Sequence, residues 1–274
     1  MLYIPAPEGK RLVWYLSMEE YLAQHAKEDV FFSWVVAPTV IFGRHQVMEA
    51  EVNMPYCQTH GVQMYRRKSG GGCVYSDAGN LMLSYITPNT HSEQVFQWYL
   101  DTVADALKAI GFPAAKTEHN DVLIGDKKVS GNACYALPTG TIVHGTMLYN
   151  VDFAALQEAI TPSHEKLAKH GVQSVRQRVV NLKELDNLTI DNLTINHAGE
   201  DNLTIDNLTI SPAGEDNLAI NHAGEGRPAL RDIRALADYF AARLCDRTRE
   251  LTEEEIQGID LLEQTYLDPD FIKG

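Results

Sequence analysis

From Asp186 to Glu225 the sequence runs in fives: DNLTI twice, NHAGE, DNLTI twice, SPAGE, DNLAI and NHAGE. A fixed internal period marks a separate architectural unit, so these 40 residues cannot be interleaved with the core built by the rest. Eight acids lie in it (Asp186, Asp191, Glu200, Asp201, Asp206, Glu215, Asp216, Glu225) and no Lys or Arg. A pentad with a central Leu is compatible with a square β-helix, but such a stretch makes only about two coils, little for an uncapped solenoid. The competing reading is a solvated acidic loop. It is favoured because the AGE pentads put Ala where the stacking Leu belongs, and because Gly, Pro and Asn promote turns. Either way the insert should project from a surface loop between Leu185 and a helix near Leu230.

The repeat also explains the charge. The 274 residues carry 37 Asp+Glu against 23 Lys+Arg, a net −14; removing the eight repeat acids leaves −14 + 8 = −6. A nucleic-acid binder needs a basic surplus to replace phosphate counterions, and none exists here. With 45% hydrophobic residues the chain can bury a substantial core. No run of about 18 apolar residues offers a membrane span. The opening MLYIPAPEGKR lacks the basic-then-apolar order of a secretory signal. Cys57, Cys73, Cys134 and Cys245 are scattered without CxxC spacing, which suits a reducing cytoplasm rather than a zinc site or disulfide framework.

Ser17 and Glu20 form a capping-box pattern, predicting a helix from there to about His25. Val30–Val36 and Thr39–Phe42 read as strands divided by Pro38. Gly61–Arg67 reads as a strand running into Gly70–Gly72, and Cys73–Tyr75 with Leu81–Ile86 as a hairpin around Asp77 and Gly79. Val95, Tyr99, Val103, Leu107 and Ile110 recur at helical spacing and stop at Gly111. Asp121–Ile124 and Lys127–Ser130 predict a hairpin across Gly125-Asp126, and Ile142–Asn150 a further strand. Phe153–Ala159 and Leu230–Leu244 read as helices. Hairpins mixed with helices, without βαβ alternation, predict an α+β fold with a mixed, mainly antiparallel sheet.

Three segments carry chemistry. In Arg66-Arg67-Lys68-Ser69-Gly70-Gly71-Gly72-Cys73-Val74-Tyr75 the glycines let backbone N–H groups line an anion site, and the arginines supply forked donors suited to phosphate. The bland alternative is a glycine turn beside surface arginines. In Asn120-Asp121 with Lys127-Lys128-Val129-Ser130-Gly131-Asn132, strand alternation puts Lys128 and Ser130 on one face. Lys128 could there stabilise a transferring phosphoryl or acyl group, or be a solvated edge lysine. His144, before Gly145, is unaided more often structural than catalytic.

Taken together and in order, RRKSGGGCVYSDAGN (Arg66–Asn80), NDVLIGDKKVSGNA (Asn120–Ala133) and HGTMLYNVD (His144–Asp152) resemble the lipoate–protein ligase family. GRHQ (Gly43–Gln46) with Glu51, and SVRQRVVNL (Ser174–Leu182), extend the resemblance over nearly the whole chain outside the repeat. It implies a fold like the catalytic domain of biotin and lipoate ligases, related to class II aminoacyl-tRNA synthetases. It further implies a two-step reaction: lipoate and MgATP give lipoyl-AMP, then the lipoyl group passes to a lysine of a 2-oxoacid dehydrogenase carrier domain or the glycine cleavage H protein. By the resemblance Lys128 is the essential lysine. Arg67, Gly72, Cys73, Val74 and Tyr75 hold the nucleotide, and Ser69, Gly70 and Gly71 shape the loop. Asn80, Asn120, Asp121, Ser130, Gly131, His144 and Gly145 complete the ATP and lipoyl-AMP site, with Asp121 a candidate Mg²⁺ ligand. Octanoyl and lipoyl transferases of the same fold use a cysteine nucleophile. Ala114–His119 and Thr161-Pro162-Ser163 stand at those positions here, so Cys73 and Cys134 read as packing residues. Many lipoate ligases also carry a C-terminal accessory domain. This chain stops soon after Tyr266, so the domain is expected to be absent, or supplied by a separate subunit, or the chain to perform transfer without its own adenylation.

Overall fold

The computed structural model describes residues 1–160, 178–185 and 230–274. The pentad repeat, Thr161–Ser163 and the Ser174–Gln177 part of SVRQRVVNL lie outside the described residues, as does any placement of the repeat relative to the site. Among the described residues, eleven strands form two sheets. The larger has the order β11(Arg247–Thr248), β1(Leu2–Tyr3), β2(Val30–Trp34), β6(Asn80–Thr87), β10(Gly140–Leu148), β9(Lys127–Leu137), β8(Asp121–Ile124), β7(Ala114–Lys116). Only the β11–β1 and β1–β2 ladders are parallel; the other five are antiparallel. The smaller sheet has β3(Thr39–Phe42) between β4(Gln63–Arg66), parallel, and β5(Val74–Ser76), antiparallel. The expected α+β class with a mainly antiparallel sheet is what the chain adopts.

Strand alternation splits the core into two layers. Leu81, Leu83 and Tyr85 of β6 with Val143 and Met147 of β10 face α4(Ser92–Ala109) and α6(Ile233–Leu244). Met82 and Ile86 with Ile142 face α1(Leu12–His25) and α7(Glu253–Leu267). The α4 stripe Val95, Tyr99, Val103 and Leu107 is buried as its spacing predicts, and the helix ends before Gly111 at φ +89°. A third cluster joins β3, α3(Met54–Thr59) and α5(Phe153–Ala159), the last capped by Asp152.

Two local readings are corrected. Helix α1 begins at Leu12, not at Ser17, whose hydroxyl donates to the Val13 carbonyl inside the helix. The run Leu12–Leu16 is buried on all sides, because α1 lies between the sheet and α7, so tertiary burial outweighs the local capping pattern. Strands β5 and β6 are not a hairpin: they belong to different sheets. Between them Gly79 packs so closely on the Asn150 carbonyl that a Cβ would fall 2.0 Å from its oxygen, and the chain crosses there between sheets.

Candidate functional site

A cavity of about 280 Å³ opens on the α1 face of the large sheet. Leu12, Leu16, Trp34, Ile41 and Met82 form one apolar wall, continuous with the α1 core. Leu148, Leu156, Ile160 and Val179 form another, continuous with the α5 cluster. Between them lie the glycine loop and the polar ends of β9 and β10. Of the expected site residues, Arg67, Gly71, Gly72, Cys73, Val74, Tyr75, Asn120, Lys128, Gly131, His144 and Gly145 line this cavity. Ser69 and Asp121 stand one contact behind it, through His144 and Lys128. Gly70, Asn80 and Ser130 are not part of its wall. Asn80 is fully buried, its amide without a hydrogen-bond partner among the described residues.

The glycine loop is held from inside. Gly71 adopts φ +94°, a conformation open to glycine, and a Cβ on Gly43 would lie 2.2 Å from the Gly71 carbonyl oxygen. Buried Arg67 donates to the carbonyls of Gly70 (3.1 and 2.7 Å), Gly72 (2.7 Å) and Ile41 (3.2 Å). Burial draws its pKa down to about 10. Arg66 likewise donates to the carbonyls of Arg44, Gln46, Ile272 and Lys273. Most of the donors of these two guanidiniums, expected to form forks to phosphate, go instead to backbone carbonyls, while Arg67 still lines the cavity. The open donors are the N–H groups of Gly70, Gly71 and Gly72, exposed and unbonded among the described residues. Such a row of N–H groups suits an anion.

Adjacent carboxylates of α1 reach the residues just before those glycines. Glu20 pairs with Lys68 at 2.7 Å and accepts from Tyr266 of α7. Glu19, 2% exposed, accepts from Ser84 Oγ (2.5 Å) and lies 2.7 Å from His144 Nδ1, while His144 Nε2 lies 2.9 Å from Ser69 Oγ. With both Glu19 oxygens accepting, the Nδ1 proton faces Glu19 and Nε2 can accept from Ser69, an acid–His–Ser arrangement. Glu19 was not anticipated. Its signal was two consecutive acids in the middle of an apolar helix.

Lys128 owes its position to a register shift. Val122 pairs with Ser130 but Leu123 with Lys128, which leaves Val129 as a bulge. The expectation that Lys128 and Ser130 share a face is overturned by that extra residue. Ser130 is buried, donating to Asn132 Oδ1, whereas Lys128 shares the cavity wall with Gly131 and Ala133. A Cβ on Gly131 would fall 2.4 Å from Lys128 Nζ, so the bare glycine is what lets the side chain lie across the strand. Lys128 Nζ is 2.7 Å from Asp121 Oδ1, and Arg178, also in the cavity wall, approaches Asp121 Oδ2 at 3.9 Å. Arg178 was not anticipated either, although it lies in the SVRQRVVNL segment. Asn120 and Asn132 lock the rim by reciprocal amide-to-carbonyl bonds of 3.0 Å. Cys73 lines the cavity, while burial pushes Cys134 up to about 11 and leaves it a packing thiol. No helix among the described residues is long and apolar enough to cross a membrane.

Residues 13–199 match the lipoyl protein ligase A/B catalytic domain. The chain is 37% identical over 175 residues to lipoate–protein ligase 1 of Staphylococcus aureus, covering 63% of this chain and 53% of that protein. It thus spans about half the length of the curated relatives it matches. Its fold is that of a bi-partite lipoate protein ligase from Thermoplasma acidophilum, with TM-score 0.70, 22% identity and coverage of 100% of this chain and 95% of that one. It also superposes on a lipoate–protein ligase A solved with ATP, with TM-score 0.71, 22% identity and coverage of 100% and 98%. The domain match, over more than half of the sequence, places this chain in the lipoyl protein ligase A/B catalytic-domain family.

Proposed function

We propose that this chain activates lipoate with ATP to lipoyl-AMP and then transfers the lipoyl group to a specific lysine of a lipoyl carrier domain. The observation that carries this reading is the meeting, in one cavity, of an apolar wall, the open N–H donors of Gly71 and Gly72, and the Lys128 ammonium. The wall from Leu12 to Met82 would receive the acyl chain, and the Gly71 and Gly72 amides the phosphate oxygens. A lipoate carboxylate oxygen attacks the α-phosphorus and the bond to pyrophosphate breaks. Lys128 meets the negative charge that grows between the two groups, where a fixed cation stabilises the transition state most. In the second step the acceptor amine attacks the acyl carbon, AMP departs, and the same ammonium receives its phosphate.

Magnesium belongs to this proposal as a companion of ATP. No three His, Cys, Asp or Glu side chains gather to hold a metal among the described residues, which fits an ion carried mainly by the nucleotide's phosphates. Asp121 is the carboxylate at hand to join it, and the ion would neutralise phosphate charge. Acceptors on E2 subunits and the H protein, a cytoplasmic location and a separate accessory subunit go with the same reading. The archaeal relative, described as bi-partite and as having an E2 lipoyl domain, supports the E2 acceptor and the separate subunit. Transfer of a lipoyl or octanoyl group without adenylation is the competing reading, favoured by Cys73 in the cavity wall. Intact-mass measurement of a lipoyl domain decides between them. Lipoylation that requires ATP and survives Cys73→Ser supports the ligase; ATP-independent acylation from an acyl carrier, lost in Cys73→Ser, would sink it.

A further inference from the structure

The ligase reading gives Arg178 no role, although Arg178 stands in the cavity wall beside Lys128. One carboxylate, Asp121, lies between two cations from different segments: Lys128 of β9 at 2.7 Å and Arg178 at 3.9 Å. Segment 178–180 runs beside β9, bridged from Lys128 to Val179 and by the Val180 N–H to the Lys128 carbonyl (3.0 Å), so the two cations are held together by backbone. The carboxylate is 15% exposed, and Lys128 and Arg178 are 27% and 32% exposed. Asp121 Oδ1, though close to the ammonium, is buried without an aligned hydrogen-bond donor. The triad is therefore a contact of charge rather than a well-made bidentate pair, and it carries a net positive charge.

We propose that Asp121 is an internal stand-in for a phosphate and that Arg178 is the second phosphate-binding cation of the site. A bound phosphate monoester offers two or more charged oxygens where Asp121 offers one carboxylate. It would displace Asp121 and take both cations, with the planar guanidinium suited to grip two oxygens at once. Asp121 thus holds Lys128 and Arg178 in place before the ligand arrives and competes with it afterwards. The inference rests on the nucleotide reading of the cavity.

The test is calorimetric binding of AMP, without metal, to the full chain and its variants, with adenosine as the phosphate-free control and thermal melting to check folding. Arg178→Ala should weaken AMP by about tenfold or more, the worth of a charge-assisted bond, and leave adenosine unchanged. Arg178→Lys should fall between, and Asp121→Asn, with its competitor removed, should bind AMP several-fold more tightly. The proposal is overturned if Arg178→Ala binds AMP as the wild type does or loses adenosine in proportion, or if a folded Asp121→Asn binds no tighter. Failure of the wild type to bind either AMP or adenosine would overturn the nucleotide reading beneath it.

Discussion

Two basic pairs flank the same cavity and are used in opposite ways. Arg66 and Arg67 are 3% and 5% exposed, and their donors are taken up by carbonyls of the glycine loop, β3, the 44–46 turn and the C-terminal residues. Lys128 and Arg178 are part-exposed and, among the described residues, share the Asp121 carboxylate. The first pair builds a frame and the second stays available. The difference shows why a basic motif cannot be assigned to a ligand by composition alone. A guanidinium that satisfies several backbone carbonyls has few of its five donors left for a ligand, however well its type suits phosphate.

That contrast can be broken at its rigid end first. Arg67→Met removes four hydrogen bonds and leaves carbonyls of Ile41, Gly70 and Gly72 without their donor. A loss of about 3 kcal/mol is expected, read as a lower urea midpoint. A change below about 0.5 kcal/mol, the usual range of surface substitutions, would show that the arginine is not structural. At the available end, Gly131→Ala should leave stability nearly unchanged, because Gly131 is not among the positive-φ glycines. It should slow lipoate-dependent pyrophosphate release by about tenfold or more, since the methyl group meets Lys128 Nζ and misplaces the cation. Wild-type rates in this variant would mean that Lys128 need not cross the strand. The smallest effect is expected where the two ends meet. Glu19→Gln keeps the shape of the buried chain but puts an amide against His144 Nδ1, and should lower kcat by roughly tenfold with little change in KM for lipoate. A rise in KM with kcat intact would mean that Glu19 shapes the acyl wall instead.

Much of this was legible in the sequence, for identifiable reasons. Helix α4 and the β8–β9 hairpin follow from local periodicity and from Gly125-Asp126, signals that tertiary context reinforces. The RRKSGGG and KKVSGNA segments announced the cavity because glycines and cations cluster in them. What was missed depends on non-local facts. The buried environment that extends α1 back to Leu12 comes from α7, about 240 residues away in sequence and itself unanticipated despite its Thr252–Glu255 capping box. The Val129 bulge reverses the face of Lys128, and one-residue shifts leave no mark in an alternating pattern. Glu19 and Arg178 acquire meaning only when α1 meets β10 and segment 178–180 meets β9.

The central claim is that Lys128 stabilises charge during acyl adenylation. Its most direct measure is lipoate-dependent exchange of labelled pyrophosphate into ATP, comparing the wild type with Lys128→Ala at equal thermal stability. The account predicts robust exchange in the wild type and a loss of about a thousandfold in the variant, the scale of removing one fixed transition-state donor. Exchange that persists undiminished in Lys128→Ala, or is absent from the wild type, would contradict it.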